Sequence, residues 1–141
     1  MNVPVLVLLG FAGWTLLTLF CSIGVYRWSL ILTKRASIAE WRADIPQGSE
    51  WYQRAMRAHM NCVENLPVYT AIVVALMALG LQSAVVDRLS ITMLVARIGQ
   101  TITHIALPPT NAVASVRFAL FLVQAICMIA MGLIIVANSA H

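Results

Sequence analysis

From Val3 to Tyr26 the chain runs through 24 residues without a charge before it meets Arg27. Three more apolar stretches follow. The second begins near Glu50, is polar on one face as far as Glu64, and is then uncharged from Asn65 to Val86. The third carries Arg97, Gln100 and His104 inside it and is the least hydrophobic; the fourth is uncharged after Arg117. This pattern predicts four helices, over about 3–33, 50–86, 87–107 and 111–137. Each apolar stretch reaches the ~20 residues that cross ~30 Å of hydrocarbon. The breakers agree. "ADIPQGSEW" (43–51) reads as a loop followed by a helix start with an acidic residue. "LPPTN" (107–111) separates the last two helices, because consecutive prolines cannot continue helical hydrogen bonding. Pro67 lies inside the second helix and frees the Val63 carbonyl, which predicts a kink just beyond Glu64.

Composition turns this pattern into a class. Of 141 residues, 61% are apolar and 10% charged, and mean hydropathy is +0.88. A soluble domain carries about 45–50% apolar and roughly 25% charged residues. The expected fold is therefore all-α: a single integral membrane domain over residues 1–141, a four-helix bundle. The net charge of +4 does not point to nucleic acid, since most basic residues hug the hydrophobic runs. Arg27, Lys34, Arg35, Arg42, Arg54 and Arg57 flank or occupy the first connection, whereas the second has only Arg88 beside Asp87. The positive-inside rule makes the first connection cytoplasmic, with both termini outward and the LPPT turn cytoplasmic too. The run from Val3 to Tyr26 lacks a basic n-region and is too long for a signal h-region, so it reads as a first membrane helix. Cys21, Cys62 and Cys127 are widely spaced in apolar stretches and read as small packing residues, with no disulfide framework.

The polar positions fall into stripes. At ~100° per residue, Arg54, Arg57, Asn61, Glu64 and Asn65 share one sector of about 100°. Arg97, Gln100 and His104 form a second stripe, and Arg27 and Lys34, seven apart, share a face of the first helix. Ionisable groups at membrane depth are costly and default to a functional hypothesis. Three stripes meeting in the cytoplasmic half would make a cationic, water-accessible cavity. That cavity would suit a ligand with several carboxylates, because guanidinium groups hold carboxylates in forked pairs. Packing explains the same residues equally well. Glu64 and Arg97, each roughly 10–15 Å from its helix end, could pair with each other. Asn61, Gln100, Thr101 and Thr103 could be interhelical hydrogen-bond glue, and Arg54 and Arg57 could be snorkelling interfacial residues.

"RAMRAHMNCVENLPVY" (54–69) closely resembles the second-helix signature of the MAPEG family, the membrane-associated proteins in eicosanoid and glutathione metabolism. The matching residues are Arg54, Arg57-Ala58, Asn61, Glu64 and Pro67. "TKRAS" (33–37) sits where the family has a basic pair ending helix one, and "LVARIGQ" resembles its third-helix segment. The resemblance implies four-helix subunits in a homotrimer, with glutathione between neighbouring subunits near the cytoplasmic side. It also implies conjugation of glutathione to hydrophobic electrophiles, reduction of lipid hydroperoxides or isomerisation of lipids. By position, Arg57, Asn61 and Glu64 would hold glutathione, Lys34 or Arg35 would meet a carboxylate, and Arg54 would support the site; Arg97 and Gln100 join this set from the third-helix stripe. The inventory suits the ligand: glutathione brings two carboxylates for the cations and one ammonium for Glu64.

The departures concern catalysis. Asn65 stands where many members have Tyr, and Gln100 and His104 stand where many have aromatic or His residues. Members that form a strong thiolate use an Arg near the start of helix four. Ungapped alignment places Asn111 or Ala112 there, and Arg117 matches only through a gap. A thiol of pKa about 8.5 is a weak nucleophile at neutral pH until a fixed cation stabilises its thiolate. Arg117 and His104 are the candidate catalytic residues. His59 and His141 lie off the stripes, and three scattered histidines without i, i+4 spacing offer no metal site.

The leading expectation is thus a glutathione transferase or peroxidase of the microsomal type in a bacterial inner membrane, with glutathione as co-substrate and a hydrophobic or lipid second substrate. The competing expectations are a non-catalytic binding or scaffold protein with a degenerate pocket, and a small transporter using Glu64 as a proton or cation site.

Overall fold

The computed structural model describes residues 2–24, 31–33, 50–108 and 110–140. The described residues form four helices and no strand: α1 (Val3–Thr18), continued by a π-helical turn (Leu19–Gly24); α2 (Glu50–Ala78); α3 (Ala84–Ala106); and α4 (Asn111–Ser139). Arg27, Lys34, Arg35 and Arg42, and with them the basic pair expected to meet a carboxylate, lie outside the described residues.

Local chemistry sets most of these boundaries. Asn2 caps α1, its side chain accepting from Val5 N–H at 3.3 Å, with Pro4 in the first turn where its missing N–H costs nothing. Thr110 caps α4 in the same way, accepting from Val113 N–H at 3.2 Å, so this helix starts where the LPPT breaker predicts. The break between α2 and α3 comes earlier than the hydropathy pattern placed it, at 79–83 rather than 86–87. Gly80 takes φ 63, Leu81 N–H donates to Leu76 O (3.0 Å) and Gly80 N–H to Met77 O (3.1 Å). These are the two bonds of a Schellman stop. Ser83 then caps α3 by accepting from Val86 N–H at 3.2 Å. α2 runs unbroken through Pro67.

α1 with the start of its π turn, α2 and α4 are long and apolar enough to cross a membrane. α3, at 23 residues, has the length but carries Asp87, Arg88 and Arg97. Like α2, it packs against all three other helices, most extensively against α4, and its polar side chains Ser90, Arg97, Gln100 and Thr101 are buried. Leu9, Phe20, Val95, Ile126 and Leu133 are meanwhile exposed on the outside. An apolar exterior around a partly polar interior is the distribution a bilayer selects.

The core lies among Val7, Phe11, Tyr69, Val73, Met93 and Met131. Phe11 and Tyr69 stack with centroids 6.3 Å apart, and the Tyr69 hydroxyl donates to Pro4 O at 3.0 Å, tying α2 to the start of α1. The threonines expected to be interhelical glue mainly serve their own helix: Thr101 donates to Arg97 O (2.9 Å) and Thr103 to Gly99 O (2.8 Å). With no water available, a hydroxyl satisfies itself on the carbonyl one turn back. Thr101 also touches Cys62 Sγ at 3.7 Å.

A Cβ at Gly80 would meet no neighbour within 4 Å, so its replacement isolates the backbone term. Gly80→Ala is expected to lower stability by about 1–2 kcal/mol, the cost of a side chain in the left-handed region, measured by SDS unfolding in mixed micelles. An unchanged midpoint would mean that Gly80 does not hold the α2–α3 turn.

Candidate functional site

The first turns of α2 set Glu50, Gln53, Arg54 and Arg57 at i, i+3, i+4 and i+7, one face of a helix. α4 starts at Asn111, a few residues after the end of α3, and carries Arg117 to the same corner. Glu50, Gln53, Arg54, Arg57, Leu107 and Arg117 line one pocket of about 90 Å³. The Nε atoms of Arg54 and Arg117 are buried there without a partner. His104, on the last turn of α3, is buried and within electrostatic reach of Arg117, Arg57 and Arg54.

Gln100 positions this corner. Its Nε2 donates to the Arg117 carbonyl at 3.4 Å, and its Oε1 accepts from Gln124 Nε2 at 2.8 Å. Gln124 in turn donates to Leu120 O at 3.0 Å. Buried amides on α3 and α4 thereby fix the register of the two helices, and with it the depth of Arg117. Gln100 is a positioning residue here.

The other expected site residues are distributed differently. Asn61 is half-buried and Glu64 exposed, continuing the Arg54–Arg57 stripe along the outside of the subunit without lining the pocket. Arg97 lies elsewhere, 1% exposed in the core. Its Cζ is 5.8 Å from the centroid of the Phe11 ring, Cys62 is its polar neighbour, and its Nε and Nη2 have no partner. Glu64 and Arg97 therefore do not pair. Glu50 and Gln53 were not among the expected site residues, although their spacing to Arg54 and Arg57 is visible in the sequence.

This corner gathers three guanidinium groups, one carboxylate and one imidazole beside the apolar wall of Leu107, which is chemistry for a small anionic molecule. The family model of the MAPEG family matches residues 6–137, nearly the whole chain. The chain belongs to the MAPEG family. No curated protein and no solved structure matches it. In this MAPEG chain the family's second-helix motif splits between two environments. Arg54 and Arg57 turn into the pocket at the helix start, and Asn61 and Glu64 extend along the open face.

Arg97 offers a stability test. A guanidinium at mid-helix in a membrane costs about 2.5–3.5 kcal/mol by insertion scales, and a desolvated cation–π contact returns only about 2. Arg97→Met is therefore expected to leave stability unchanged or raise it by up to ~3 kcal/mol in SDS unfolding. A loss of about 3–5 kcal/mol would contradict this and reveal a buried counter-anion.

Proposed function

We propose that this integral membrane protein binds glutathione in the pocket of Arg54, Arg57 and Arg117 and uses it as a transferase or peroxidase on hydrophobic electrophiles or lipid hydroperoxides. The convergence of those three cations from α2 and α4 on one pocket is the observation that carries the reading. Glutathione presents two carboxylates and one ammonium; the pocket presents three guanidinium groups and Glu50, a complementary set. With three guanidinium groups against one carboxylate, the pocket is short of the negative charge that a ligand's carboxylates or thiolate would supply. In this reading Arg54 and Arg57 hold the carboxylates. Arg117 stabilises the thiolate that attacks an electrophile arriving from the bilayer, and His104 stands beside it.

At about 90 Å³, the pocket is well below the ≈300–1,000 Å³ of sites that enclose a small molecule. One subunit supplies one wall. The exposed stripe of Asn61 and Glu64 runs on from it and would be covered by a neighbouring copy, which supports a homotrimer with glutathione at the subunit boundary, and Lys34 or Arg35 adding a cation. We place the protein in a bacterial inner membrane, with the first connection and this pocket on the cytoplasmic side. A second reading, a binding protein without catalysis, draws on Gln100, which is engaged with Gln124 and the Arg117 carbonyl rather than free to meet a ligand.

The readings separate in the ultraviolet difference spectrum of detergent-purified protein on addition of glutathione. A thiolate band is expected for the parent protein. Arg57→Ala should lose it through binding, with affinity weakened about tenfold or more, as for a charged hydrogen bond. Arg117→Ala should lose it while glutathione still binds. Binding without any band in the parent supports the non-catalytic reading, and absence of binding refutes both.

A further inference from the structure

Among the described residues that line the cationic pocket, Glu50 alone is anionic. It lies outside the motif at 54–67 and opens α2, four residues before Arg54 and seven before Arg57. All three therefore share one face of the helix. Glu50 and Arg57 are exposed, so both charges are reachable from outside.

Helix geometry relates this carboxylate to the neighbouring guanidinium. Side chains on an α-helix lean toward its N-terminus, so Arg54 and Arg57 are directed toward Glu50 and away from Glu64. At ~1.5 Å per residue, Glu50 and Arg54 are about 6 Å apart along the axis, whereas Glu64 is about 15 Å beyond Arg54. One turn of α2 thus offers an anion and a cation side by side. A free α-amino acid group has the matching form, because its carboxylate and its ammonium are bonded to the same carbon. A ligand whose carboxylate meets Arg54 brings that ammonium within reach of Glu50 and not of Glu64. The charge balance sharpens the argument. Three guanidinium groups repel an ammonium, so without a contact to Glu50 the pocket would prefer a ligand that lacks one.

We propose that Glu50 and Arg54 together read the zwitterionic α-amino acid end of the thiol ligand. The pocket then selects thiols with a free amino group over thiols that carry carboxylates alone. The proposal rests on the glutathione reading for the ligand, and it gives the ammonium to Glu50 where the sequence pattern suggested Glu64. It also orients the ligand: the γ-glutamyl end lies at the start of α2, and the rest of the tripeptide extends toward Arg57 and Arg117.

The measurement is equilibrium binding, by calorimetry on the detergent-purified full chain, of glutathione and of its deaminated analogue, glutaryl-cysteinylglycine. The two share the thiol and both carboxylates and differ in the ammonium. The parent should bind glutathione about threefold to tenfold more tightly, between the worth of an exposed ion pair and that of a charged hydrogen bond. Glu50→Gln, at an exposed helix start, should weaken glutathione by a similar factor and spare the analogue, so the preference disappears or inverts. If Glu50 serves only to neutralise Arg54, the same substitution instead tightens glutathione, and that result overturns the proposal. So does a preference lost in Glu64→Gln and kept in Glu50→Gln, which would put the ammonium on the open face. Equal affinity of the parent for both ligands overturns the role of Glu50 and leaves glutathione binding in place. A parent that binds neither ligand overturns the glutathione reading itself, and this proposal with it.

Discussion

A guanidinium in a membrane bundle must find water, an anion or an aromatic face, because hydrocarbon offers it nothing. The arrangement of this protein follows from how three arginines on α2 and α4 and one on α3 meet that demand. Arg97 goes inward and settles over the Phe11 ring, which requires that face of α3 to pack against α1. Arg54, Arg57 and Arg117 stay at the end of the bundle, where the starts of α2 and α4 share a pocket. Among these, Arg54 and Arg117 keep an Nε that nothing in the described subunit satisfies. Three cations gathered at one corner with a single carboxylate leave that corner short of negative charge.

The helix with the most buried polar side chains, α3, is accordingly the organising one. Along one face α3 holds α4 in register through Gln100 and Gln124. Along another it packs against α1. The buried amide pair is better suited than apolar packing to fixing depth, because sliding by one turn would break both bonds that Gln100 makes to α4.

Much of the fold was legible in the sequence. Charge-free runs marked the helices, the proline pair marked the last turn, and the motif at 54–67 marked the family. The α2–α3 break was misplaced because hydropathy continues across it; the signal was conformational, in Gly80 and the cap at Ser83. The site was legible in part. Helical angles placed Arg54 and Arg57 together, and the same angles would have added Glu50 and Gln53. They could not show that Arg97 faces Phe11 instead of the pocket, since a stripe fixes a helix face and not the neighbour it meets.

The central claim is that the cations of α2 hold the carboxylates of glutathione. Its most direct test compares the affinity of glutathione with that of its diester, in which both carboxylates are neutralised, on the parent protein and on the doubly substituted Arg54→Ala, Arg57→Ala protein. The account predicts that esterification weakens binding to the parent about tenfold or more and makes little difference to the variant. Equal affinity of the parent for both ligands would contradict it.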